Sequence, residues 1–154
     1  MADERDELDK QILRLLQEDA TLTHKQIAGR LRRSMTTIYD RISRLKQEGI
    51  ILRTVAILDR KKIGKGLLTF SQVHLSQHTA EALEQFEQAV KCFPEVLECF
   101  QMTGSFDFLL RVSTRDMEEY HEFYRYKLAK LPNIITVNSY FALSETKSIT
   151  AYPL

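Results

Sequence analysis

THKQIAGRLRRSMTTIYDRISRLKQEG, residues 23–49, reads as two short amphipathic helices with a tight polar break between them, the pattern of a helix-turn-helix. Thr23 followed three residues later by Gln26 makes a capping box. Ile27, Ala28 and Leu31 give the first helix one apolar stripe, and Arg32 and Arg33 form the break. Ser34 suits the N-cap of the second helix, whose stripe is Ile38, Ile42 and Leu45. Gly49 supplies a left-handed stop. The opposite face of the second helix holds Thr36, Thr37, Asp40, Ser43, Arg44 and Gln47. Such small polar and basic side chains suit the base edges of a major groove.

The charge is concentrated in the same place. Residues 24–53 hold eight Lys/Arg against Asp40 and Glu48, whereas the whole chain nets only +1. A basic surface local to the reading helix is the footprint that duplex DNA requires. On this face Thr36, Thr37 and Asp40 are expected at base edges. Arg41 and Arg44 are expected on bases or flanking phosphates, and Lys25, Arg32, Arg33 and Ser34 complete the DNA-binding set. Asp40 repels phosphate and has Arg44 four residues on as an alternative partner.

A chain of 154 residues accommodates one or two small domains. No apolar run approaches the length of a membrane span. The N-terminus MADERDELDK is charged and lacks the apolar stretch of a signal peptide, so a cytoplasmic location is expected. Cys92 and Cys99 sit in no CxxC or Cys/His pattern, which argues against a disulfide framework or structural zinc. Cys99 falls in an expected strand and reads as a buried free thiol.

Leu8, Ile12, Leu15 and Leu16 mark a first helix over about 6–18, so residues 1–50 form a three-helix domain. ILRTVAIL (51–58) reads as a strand and DRKKIGKG as a polar linker; together 51–66 connect the domains. Residues 67–154 then alternate. Strands are expected over 67–76, 95–103, 106–113 and 134–143. Helices are expected after the Thr79 cap and over 115–130, with Gly104–Ser105 a tight turn. Phe106, Phe108, Leu110 and Val112 share one strand face, and Ile135, Val137, Phe141 and Leu143 another. The βαββαβ order is that of a ferredoxin-like unit, so the class is α+β. Helices cover one sheet face. The other carries Leu97, Leu109, Ile134 and Tyr140, an apolar content that suits an oligomer interface.

Enzyme chemistry finds little support. His74, His78, His121, Asp107 and Glu122 are the acid/base candidates, yet no nucleophile arrangement or phosphate loop accompanies them. A ligand-sensing module without DNA binding is countered by the basic stretch.

LDKQILRLLQEDA, the helix-turn-helix through TIYDRISRLKQEGII, LDRKKIG, FPEVLECFQMTGSFDFLLRV and LPNIITVNSYFALSETK follow one another along nearly the whole chain. In this order they resemble the leucine-responsive regulatory protein/AsnC family of transcription regulators. The resemblance implies a winged helix-turn-helix domain and a C-terminal domain that senses a small metabolite, usually an amino acid. It implies no cofactor, and it implies dimers assembled into octamers or similar discs. It also implies an effector site between dimers at the turn Thr103, Gly104, Ser105, Phe106 and Asp107. Many members carry Tyr or Asp beside the glycine where this chain has Ser105–Phe106. A glycine permits close backbone approach, turn N–H groups can hold a carboxylate, and Asp107 can hold an ammonium. Thr136 and Asn138, on one face of a neighbouring strand, are expected to complete the site.

Overall fold

The computed structural model describes residues 6–154. The first five residues of the charged N-terminus, read above as no signal peptide, lie outside them. The chain divides into two compact units, one running up to Ile57 together with Lys147–Leu154, the other Leu58–Thr146.

The first unit holds α1 (Glu7–Glu18), α2 (His24–Leu31) and α3 (Met35–Gln47). Each begins where a side chain satisfies the orphan N–H groups of the first turn. Asp6 accepts from Asp9 N at 2.9 Å. Thr23 and Gln26 close the capping box reciprocally. Ser34 accepts from Thr37 N at 3.0 Å. The break depends on Arg32, which takes the left-handed conformation at φ 52° and ends α2. Gly49, at φ +72°, ends α3. The stripes meet in one core with Ile12, Ile27, Ile38 and Leu45 fully buried.

One expectation changes in this unit. Residues 51–58 form no strand, and Leu52, Val55, Ile57 and Leu58 are exposed. β-branched composition makes a strand only where a second backbone completes the ladder, and none is supplied here. The segment Lys147–Leu154, read above with the second domain, makes its contacts with the helices. Leu154 packs on their core, Arg14 Nε donates to Leu154 O at 2.9 Å, and Tyr152 N donates to Gln17 Oε1 at 2.7 Å.

The second unit runs β1 (Leu67–Leu75), α4 (Ala80–Lys91), β2 (Val96–Gln101), β3 (Phe108–Thr114), α5 (Met117–Tyr126) and β4 (Ile134–Phe141). The four strands are antiparallel in the order β2-β3-β1-β4, so the ferredoxin-like βαββαβ expectation holds. Thr79 caps α4 and Asp116 caps α5. The expected 115–130 helix stops at Tyr126, and a single 3-10 turn follows over Leu128–Lys130. Val73, Leu75, Phe108, Leu110 and Val112 bury their side chains against Phe86, Val90, Tyr120 and Phe123 of the two helices. The Phe86 and Phe108 rings stack with centroids 4.5 Å apart.

Bulges rearrange the faces. The β1–β4 register shifts between His74 and Leu75, so that Leu75 faces Ile134 while His74 faces Thr136. Ile135 is the extra residue. Ile134 therefore packs on the core and Ile135 is exposed, the reverse of the expectation from strict alternation. Leu143, expected on the same strand face, lies beyond β4 and is fully exposed. Cys99 lies in β2 as expected but is exposed rather than buried. Its sulfur is nonetheless enclosed enough that desolvation, helped by Glu87, pushes the thiol up to about 11.

Candidate DNA interface and effector turn

The polar face of α3 is set from beneath. Ile38, Ile42 and Leu45 are buried, which leaves Thr36 and Asp40 exposed on the far side with Ser43 half-buried beside them. Ser34 and Thr37 join hydroxyls at 2.7 Å, so the N-terminus of α3 has fixed side chains rather than a frayed first turn. Lys25, Arg32 and Arg33 are all exposed. Arg32 in its left-handed backbone turns the chain between α2 and α3 and puts two guanidinium-bearing residues at the break.

Arg41 and Arg44, expected on bases or flanking phosphates, make ion pairs within the helical unit. Both point at α1. Asp9 is only 1% exposed, and its carboxylate bridges the two, with Oδ1 3.2 Å from Arg41 Nη1 and Oδ2 2.5 Å from Arg44 Nη2. Arg41 Nη1 also binds Asp6 Oδ2, and Arg44 Nε lies 3.7 Å from Glu48. The alternative partner read for Arg44, Asp40, is not the one it takes. The cause is geometric: Arg41 and Arg44 are three apart on one flank of α3, and that flank packs on α1. Hydrogen bonds that Arg41 donates to Asp6 first and Asp9 second raise its pKa above the usual value. The Asp9 N–H, then the Arg41 guanidinium, hold Asp6 below the usual carboxylate range. The sequence reading missed Asp9. Its signal was available: an acid three residues before Ile12 lies on the flank of the buried stripe.

The turn between β2 and β3 is closed by its own backbone. Met102 N donates to Asp107 O at 2.8 Å, and Asp107 N donates to Val73 O at 2.9 Å. Gly104 has φ +117°, a conformation that disfavours any side chain. Asp107 was expected to present its carboxylate to a ligand. Here Oδ2 accepts from Leu75 N at 2.7 Å, and Oδ1 lies 2.9 Å from His78 Nε2. The carboxylate thus anchors the turn to the end of β1. His78 sits in the loop before α4, and no spacing in the sequence announces it.

Phe106 also departs from expectation. It precedes β3, and its ring meets His74 edge-on with centroids 6.4 Å apart. Phe108, Leu110 and Val112 keep the core face without it. His74 pairs with Thr136 and Gln72 with Asn138 across β1 and β4. The open sheet face therefore brings Phe106, His74 and Thr136 into one row beside the turn, with Asn138 one step further away. Thr103, Gly104 and Ser105 are exposed at its rim. Among the described residues, no cluster of acids, histidines and cysteines is arranged to hold a metal ion.

Residues 68–152 match the family model of the Lrp/AsnC ligand binding domain, and residues 5–51 match that of a winged helix-turn-helix DNA-binding domain. The chain belongs to the Lrp/AsnC family. It is similar to the DNA-binding transcriptional activator DecR of Escherichia coli K12, 36% identical over 149 residues that span 97% of this chain and 98% of that one. It is 34% identical to the Bkd operon transcriptional regulator of Pseudomonas aeruginosa, over 98% of this chain and 99% of that one. An AsnC family regulator from Agrobacterium tumefaciens superposes with TM-score 0.92 and 38% identity, covering 97% of each chain. A Neisseria meningitidis transcriptional regulator solved as an L-Met complex superposes with TM-score 0.92 and 32% identity, covering 97% of this chain and 96% of that one. This Lrp/AsnC protein is a DNA-binding transcription regulator with a small-molecule domain, not an enzyme. Among its described residues no helix is long and apolar enough to cross a membrane.

Proposed function

We propose that this regulator reads duplex DNA with the N-terminal half of α3 and adjusts that reading to a bound amino acid. The observation that carries the first part is the exposed polar face of Thr36 and Asp40, flanked by exposed Lys25, Arg32 and Arg33. Thr36, Asp40 and Thr37 are assigned to base edges, and Lys25, Ser34, Arg32 and Arg33 to phosphates. Arg41 and Arg44 hold α3 to α1 through Asp9, and any DNA contact they make comes at the cost of that bridge. Gel shifts over a salt series with the whole protein test this assignment. Arg33→Ala is expected to weaken binding to all sequences and to lower the salt slope by about 1. Unchanged affinity in Arg33→Ala and Thr36→Ala together would refute it.

The effector is assigned to the rim of the 103–107 turn. An amino-acid carboxylate suits the N–H groups beside Gly104, and Phe106 favours an apolar side chain, with Thr136 nearest on the sheet and Asn138 beyond. The ammonium must compete with exposed His78 for Asp107 Oδ1. His78→Ala is therefore expected to keep or raise affinity in a calorimetric screen of the common amino acids, and Asp107→Asn to lower it. No heat from any amino acid would overturn the effector reading and leave the DNA reading intact.

Self-association is supported by exposed apolar side chains on two stretches. Leu97, Phe100 and Tyr140 stand on the sheet, and Leu52, Val55 and Ile57 on the segment 51–58, which is not part of the sheet. A dimer or an assembly of dimers places two reading helices about 34–36 Å apart, one DNA turn, or a multiple of it. A monomer mass by light scattering at micromolar concentration would exclude this.

A further inference from the structure

Two apolar side chains of α3 remain exposed on the flank beside its polar face. Met35 is 58% exposed and Tyr39 is 55% exposed. They are four residues apart, so their side chains lie one above the other on the same flank of the helix. That flank lies between the buried stripe at Ile42 and the polar face at Ser43 and Thr36, and it is not the flank where Arg41 and Arg44 meet Asp9. Tyr39 is also held in place: the ring of His24, the first residue of α2, meets it edge-on with centroids 5.5 Å apart. Single exposed apolar side chains are ordinary on a protein surface. An i, i+4 pair with one ring against His24, on a helix that follows the break at exposed Arg32 and Arg33, is an apolar strip in a basic stretch of the chain. The partner of complementary charge is duplex DNA. In the major groove the only apolar group a base pair presents is the C5-methyl of thymine.

We propose that Met35 and Tyr39 are base-reading residues that contact thymine methyl groups and so select A·T pairs at fixed positions of each half-site. This rests on α3 entering the major groove. Thr36 and Thr37 carry methyl groups that can also meet a thymine, so the alanine variants of Met35 and Tyr39 separate the two sources. His24 contributes by restricting the ring, which lowers the entropy lost when DNA is bound. The tyrosine hydroxyl has no part in the methyl contact.

The test uses the whole protein and a randomised duplex library. Sites selected by the wild type are remade with deoxyuridine in place of each thymine in turn, which removes one methyl and leaves every hydrogen-bonding edge unchanged. The wild type is expected to lose about fourfold in affinity at two or more thymines per half-site, the equivalent of one unburied methyl group. Met35→Ala and Tyr39→Ala should each abolish that loss at a different thymine and relax the selected sequence there. Tyr39→Phe should retain both, and matching thermal melts establish that the variants are folded. A selected site with no thymine sensitive to uracil, or with sensitivity unchanged in both alanine variants, overturns this proposal alone. An equal loss on every sequence with a shallower salt slope in Tyr39→Ala overturns it in favour of a phosphate contact. A wild type that enriches no sequence at all overturns it together with the assignment of α3 to the groove.

Discussion

Removing the Asp9 carboxylate is the sharpest perturbation of the helical unit. Asp9 is buried and pairs with two arginines whose side chains are 27% and 47% exposed. Breaking a fully buried pair costs about 3–5 kcal/mol, mostly because an uncompensated charge stays buried. Here the survivors are the arginines, and both reach solvent, so the desolvation part shrinks towards the exposed-pair range of about 0.2–1 kcal/mol each. Adding the lost packing of a small buried side chain, Asp9→Ala is expected to cost about 2 kcal/mol. With a urea slope of about 2 kcal/mol per molar, the midpoint falls by about 1 M. Far-UV circular dichroism of urea unfolding measures this, and Asp9→Asn should recover part of the loss by keeping an acceptor. A functional consequence follows from the same geometry. Arg44, released from α1, becomes available to phosphates while Arg41 keeps Asp6, so the salt slope for non-specific DNA should steepen by up to about 1. A stability change below about 0.5 kcal/mol in Asp9→Ala would refute the bridge as a structural element. A large loss of specific affinity in Arg44→Ala at unchanged stability would refute its assignment to α1.

Three further outcomes are expected. Gly104→Ala, at φ +117° with open space around the missing Cβ, should cost about 1–2 kcal/mol from backbone strain alone, and differential scanning fluorimetry reads it. Phe108→Ala removes a fully buried ring stacked on Phe86; a cost of about 3–5 kcal/mol in urea unfolding is expected. Acid should destabilise both units. The Asp9 N–H and Arg41 hold Asp6 low, Lys65 and the Arg115 N–H hold Glu119 low, and the Glu119 N–H and Arg115 hold Asp116 low. Groups whose folded pKa is depressed contribute stability that is fully present above their unfolded values, 3.8 for Asp and 4.5 for Glu. That stability is lost as pH falls through their lower folded values. Thermal melts should therefore be flat above about pH 5.5 and drop below pH 4.5; a rise in melting temperature on acidification would contradict these pairings.

The helix-turn-helix was legible because its signals are local. Thr23, Gln26, Ser34 and Gly49 sit within four residues of the groups they satisfy, and the 3.6-residue stripe of Ile38, Ile42 and Leu45 needs no knowledge of its partner. The same holds for Thr79 at the head of α4, and for the alternation of Phe108, Leu110 and Val112. Strand identity was harder wherever it depended on another strand. ILRTVAIL has the composition of a strand, yet 51–58 remains unpaired because no edge of this chain meets it. Ile134 and Ile135 exchanged faces because the bulge arises from pairing with β1.

Sequence by itself determined the order of elements, the capped helix pair with its basic surface, and the turn at Gly104. Tertiary structure alone decided which charged groups were still available. Arg41 and Arg44 look like reading residues on a helical wheel, but their flank packs on α1, 32 and 35 residues away, where buried Asp9 takes them. Asp107 looks like a ligand carboxylate, but Leu75 N and His78 claim its oxygens. Caps and periodicity are properties of neighbouring residues, whereas the partner of a charge is whichever opposite group the fold brings within about 3 Å.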